Sequence, residues 1–172
     1  MSVILDKVKS TDRKAQIKLL VYLILAVIVV GFIFSNSLKD REASSKMSTG
    51  FVDILRPILD PFNKMTEETF HGLVRKLAHG FEFAVLGVCS GGLMWCVAEM
   101  RGRYHISTAI LFPLVIALAD EFIQSFNNRS SEVRDVLIDF GGALVGLAVV
   151  SLIEYLILRT QNKKTGVIRV VP

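Results

Sequence analysis

At 172 residues, with 52% hydrophobic content and a mean hydropathy of +0.51, the chain is too apolar for an ordinary soluble domain of its size, and membrane residence is the expectation. The formal net charge of +4 comes from basic residues gathered near the termini and in short loops. No basic patch with interleaved aromatics is present, which argues against nucleic acid as a partner.

Residues 1–18 are polar and basic, with Lys7, Lys9, Arg13, Lys14 and Lys18 offset by Asp6 and Asp12. The charge-free run Leu19–Phe34 follows, rising ~24 Å as a helix, and its flanks extend it to a membrane span. A cleaved signal peptide is the competing reading, but three more apolar segments follow and favour an uncleaved first span. In the long connection 35–72, Phe51, Ile54, Leu55, Ile58, Leu59 and Phe62 recur at helical spacing. This predicts a short amphipathic helix, kinked or ended by Pro57 and Pro61, lying on the membrane surface or on the other helices. Thr66-Glu67-Glu68 reads as an N-cap with first-turn acids.

The second span is expected over about Leu73–Ala98, with Gly87 and Gly91 four apart, and Arg101-Gly102-Arg103-Tyr104 as a tight turn after it. Cys89 and Cys96 lie seven residues apart on this helix, about 10 Å, too far for a disulfide, and read as buried small apolar residues. The third span begins near His105 and runs charge-free to Ala119 before Asp120 and Glu121. The fourth covers about Asp135–Leu158, with Gly142 and Gly146 four apart; Glu154 near its far end is expected to snorkel. The fold class is therefore all-α: an integral membrane bundle of four transmembrane helices with a short amphipathic helix in the first outer loop. Its parts are a polar segment 1–18, a membrane domain 19–158 and a basic tail 159–172.

Lysine and arginine number five before the first span, two in the tight turn and four in the tail. The positive-inside rule places these in the cytoplasm, with both termini, and turns the Ser125–Arg134 loop outward. Three helix ends then meet at the outer surface. Arg75, His79 and Glu82 share one face of the second span, Asp120 and Gln124 one face of the third, and Asp135 and Asp139 the glycine face of the fourth. Charge in a span is costly and belongs toward the bundle interior.

The candidate ligand-binding residues are thus Arg75, Lys76, His79, Glu82, Asp120, Glu121, Gln124, Arg129, Arg134, Asp135 and Asp139. Basic residues at the rim suit a phosphate or pyrophosphate headgroup. His79, Glu82, Asp120 and Glu121 are the candidates for acid–base work. One histidine among carboxylates is also a loose metal-ligand set, but the sequence singles out no metal site and names no cofactor. The same charges, paired as Arg75–Asp120 or Arg134–Glu82, would equally serve to neutralise one another and fix helix register. Ser130 and Ser131 lack the elbow motif of a serine nucleophile.

These residues carry a resemblance to the VanZ-like family of bacterial membrane proteins. The matching stretches are Phe34-Ser35-Asn36-Ser37, the run from Val74 through Arg75-Lys76-Leu77-Ala78-His79-Gly80-Phe81-Glu82 to Gly87, Asp120-Glu121-Phe122-Ile123-Gln124, and Arg129-Ser130 leading to Val133-Arg134-Asp135 and Asp139. The chain departs from the family pattern at Asn127-Asn128, where members often have Pro-Gly, and at Asp139, where many have asparagine. The resemblance implies a cell-envelope protein, since the namesake is associated with low-level resistance to teicoplanin, a glycopeptide that acts on cell-wall precursors outside the membrane. The expected partners are membrane lipid and a lipid-linked cell-wall precursor or the glycopeptide, with oligomerisation left open. Two other classes remain: an enzyme acting on a lipid-linked phosphate or glycan headgroup, and a transporter, which four spans without an internal repeat do not favour.

Overall fold

The computed structural model describes residues 2–38, 52–62, 64–126 and 133–165, with the side chains of 2–12 and 164–165 left aside. All regular structure among them is helical: α1 (Ser2–Ser37), α2 (52–59), α3 (Glu67–Arg101), α4 (Ile106–Ser125) and α5 (Val133–Thr165). Four of these are long and apolar enough to cross a membrane, over Arg13–Ser37, Glu67–Arg101, Ile106–Ser125 and Val133–Lys163. The first span does not begin where its apolar run begins. The polar segment 2–18 continues the same helix, with no breaker between Lys9 and Leu19 to end it.

The helix ends follow local chemistry. At the start of α3 the Thr66 hydroxyl accepts from the Thr69 amide, and Glu67 and Glu68 occupy the first turn, as the sequence leads one to expect. At its end Gly102 takes φ 70°, and its amide reaches the Ala98 carbonyl. That left-handed step turns the chain into α4 within a few residues.

α3 is the central helix: 56% of its span window is buried, against 11%, 28% and 22% for the windows of α1, α4 and α5. Its partner is α5, and the two backbones touch. A Cβ added at Gly142 would collide with the carbonyl of Gly80, one at Gly146 with that of Ala84, and one at Gly87 with that of Ala143. Small residues allow this approach, which lipid-embedded helices need because no hydrophobic force drives them together. One buried cluster, Ile33, Phe83, Leu86, Ala117 and Ala143, draws from all four spans.

α4 contains Pro113, buried within the span. Proline has no amide to donate, so the Ala109 carbonyl four residues earlier loses its helical partner. Ser90 of α3 donates its hydroxyl to that carbonyl at 2.8 Å. A backbone group freed in the hydrocarbon region is thereby satisfied by a neighbouring helix.

The apolar stripe expected of α2 divides. Val52 and Leu55 pack inward on Phe70 and Val74 of α3, while Ile54, Ile58 and Phe62 are 67%, 70% and 80% exposed. The proline-bearing segment is too short to turn all its apolar residues to one neighbour. Asp60 closes it: its two carboxylate oxygens accept the amides of Lys64 and Met65. Glu154, expected to snorkel, is instead 7% exposed. It faces the inner side of the bundle near Lys18 and Glu99, which pair at 3.7 Å.

Candidate functional site

Distances along the helices set the depth of the site. Asp120 lies five residues before the end of α4 and Asp139 six after the start of α5, both about 8–9 Å from the ends of their helices. His79 is twelve residues into α3, about 18 Å, so α3 projects roughly two turns beyond its neighbours, and α2 rests on that projection. α1 ends at this level, at Ser37.

The four spans therefore deliver polar side chains to one buried cluster. Asp120 is fully buried and Asp139 is 3% exposed, with Glu121 and Gln124 at 6% each. The Ser37 hydroxyl donates to Asp120 Oδ1 at 2.5 Å, and Gln124 Nε2 donates to Asp120 Oδ2 at 2.7 Å. Asn36 Nδ2 donates to Glu82 Oε1 at 2.9 Å. His79 Nδ1 stands 3.9 Å from Glu82 Oε2 and 4.0 Å from Asp120 Oδ2. One ligand atom each from His79, Asp120 and Asp139 lies within 4.8 Å of the other two. At its edge, Lys76 Nζ meets Asp135 Oδ1 at 2.5 Å, both side chains partly exposed.

Of the sequence candidates, His79, Glu82, Asp120, Glu121, Gln124 and Asp139 come together inside. Lys76 and Asp135 form a pair at the rim and Arg75 is half-buried beside them in sequence. Arg134 is exposed and makes no ion pair with Glu82 among the described residues, so the pairing considered for those two does not form; Asn36 donates to Glu82 instead. Arg129, Ser130 and Ser131 lie outside the described residues. The sequence reading placed three helix ends here and missed the fourth, that of α1. Asn36 and Ser37 carried a usable signal: two polar side chains ending the first span on the side where the other spans carry theirs.

The cluster can hold a proton between His79 and its carboxylate neighbours, offer acceptors to a donor that reaches it, or ligate a cation. The buried interior is mostly acidic, and Lys76, paired with Asp135, is partly exposed at its edge.

A family model described as VanZ/LLP1 matches residues 19–154. The chain belongs to the VanZ/LLP1 family. The matched range holds every described residue of the polar cluster, from Asn36 to Asp139, so the cluster is part of what the family model covers rather than an addition at its edge. No curated protein matches the chain, and no solved structure does.

Proposed function

We propose that the chain is a cell-envelope protein of the VanZ/LLP1 family whose polar cluster lies toward the outside of the membrane. There it binds the phosphate-bearing headgroup of a lipid-linked cell-wall precursor, or a glycopeptide, and so alters teicoplanin susceptibility. The observation that carries this reading is the convergence of buried polar side chains from all four spans within about 9 Å of the end of the bundle. Polar groups inside a membrane protein are retained where they are used, and this depth is reachable by a headgroup from the interface. The outward orientation rests on the lysine and arginine counts of the flanks. Arg75 and Lys76 would engage anionic groups at the edge, while Glu82, Asp120 and Glu121 would hold hydroxyl or amide donors deeper in. The test is teicoplanin susceptibility of cells carrying the wild type, Arg75→Ala or Glu82→Gln, at matched protein levels in the membrane. Loss of protection in both variants supports the reading; protection equal to wild type in both overturns it.

The position of His79, about 4 Å from two carboxylates, favours a second reading. In it the chain is an enzyme on the same headgroup, with His79 as acid–base. A changed headgroup mass after incubation with purified protein, absent with His79→Gln, supports it. Full cellular function of His79→Gln counts against it.

A further inference from the structure

Asp139 differs from two carboxylates of the same cluster, Asp120 and Glu82. Asp120 has Ser37 and Gln124, and Glu82 has Asn36, but no hydrogen bond or ion pair reaches Asp139 among the described residues. It is 3% exposed, and the strongest charge effects on it come from Asp120, Asp135, Glu121 and Glu82, all of its own sign. A carboxylate in that position is strongly unfavourable unless something positive joins it. What it faces is His79 and Asp120, with one ligand atom of each of the three residues within 4.8 Å of the others.

We propose that His79, Asp120 and Asp139 bind one divalent cation, through a ring nitrogen and two carboxylate oxygens. Donors around a single ion at ~2.0–2.2 Å stand roughly 3–4.4 Å apart, so the trio reaches bonding geometry with a contraction of less than an ångström. His79 Nδ1 and Asp120 Oδ2, at 4.0 Å, already fit. Ser37 and Gln124 fix the Asp120 carboxylate from outside the trio, the role that hydrogen-bonding partners play around metal ligands. Imidazole with two carboxylates, and no thiolate, suits Zn2+ or Mn2+; the thiols of Cys89 and Cys96 lie ten or more residues along α3 from His79, at least about 15 Å. Three protein ligands leave coordination positions free for a water or a phosphate oxygen. The cation would also tie α3, α4 and α5 together. In its location, though not in its ligand, this inference rests on the cluster being the functional site.

The experiment is equilibrium dialysis of chelator-stripped protein in lipid nanodiscs against Mn2+ or Zn2+, with bound metal counted by elemental analysis. The wild type is expected to take up one ion per chain. His79→Gln and Asp139→Asn should bind at least tenfold more weakly, and Glu154→Gln, at the opposite end of the bundle, should bind like wild type. Asp139→Asn should also keep or raise the Tm of the metal-free protein, because it removes a buried charge, so that lost binding is not lost folding. Wild type that stays metal-free at ~1 mM ion, or Asp139→Asn that binds like wild type, overturns the proposal; the first result would mean that a proton neutralises Asp139 instead. Binding of a polyprenyl pyrophosphate is measured on the same stripped nanodiscs. Headgroup binding without metal uptake removes the cation alone, and metal uptake without headgroup binding removes the headgroup reading alone.

Discussion

Pro113 removes an amide from the middle of a span, and Ser90 supplies a hydroxyl in its place. This contact has a measurable signature. Ser90→Ala should destabilise the protein by about 1 kcal/mol, the usual scale of an interhelical hydrogen bond in a membrane. In a Pro113→Ala background, where the helix amide is restored, the same substitution should cost markedly less. Unfolding in detergent of the four members of the cycle gives the coupling directly, and additive costs would show that the hydroxyl is not serving the carbonyl. Asp60 offers a second residue-scale test, outside the spans. The Met65 and Lys64 amides that donate to its carboxylate hold its pKa below the ordinary value of 3.8. A depressed carboxyl contributes stability above its unfolded-state pKa and loses it as pH falls through the folded one. The α2–α3 turn should thus keep its hydrogen bonds through pH 4, and the Met65 and Lys64 amide resonances should shift only below it. In Asp60→Asn that low-pH step should vanish. At this scale the sequence was partly legible. His79, Glu82, Asp120 and Asp139 announce themselves as charge in apolar runs, whereas Ser37, Asn36 and Ser90 are small neutral residues whose partners lie 83, 46 and 19 positions away.

Between elements, the decisive contact is that of α3 with α5. Gly142→Val and Gly146→Val should destabilise by 1–3 kcal/mol or more, since the new atoms meet backbone that cannot rotate away. Gly141→Ala, with nothing within 4 Å, should be tolerated. Thermal unfolding of the three variants side by side checks this, and equal Tm values would refute close helix contact. The four-residue spacing of Gly142 and Gly146 made one half of this seam readable. The other half was only partly so: Gly87 belongs to it and was visible, while Gly80 and Ala84 meet α5 through their carbonyls, which leave no mark in a sequence. α2 failed in a different way. Its periodicity revealed a helix, but periodicity reports which residues align and not which side is covered, and the inward residues proved to be Val52 and Leu55.

For the molecule as a whole, the proposed orientation, with both termini in the cytoplasm, rests on the four spans and the charges that flank them and has a direct test. In a background lacking Cys89 and Cys96, a cysteine replacing exposed Ser125 should label from outside intact cells, and one replacing Arg103 should not. The opposite pattern would turn the cluster to the cytoplasm and make a soluble phosphorylated compound its natural ligand. The order of elements bears on how the chain is made. α1, the least covered span, is synthesised first, and its last two residues end up holding the carboxylates of helices made later. α4 is 20 residues long and carries Asp120 and Glu121 close to its end. Alone, it would enter lipid against a penalty of up to ~3 kcal/mol for each charge. Ser37 is already in the bilayer when Asp120 leaves the ribosome. A first span that offers Ser37 to Asp120 should ease the entry of α4, and a chain whose α1 were exchanged for a generic apolar anchor would be expected to leave α4 outside the membrane.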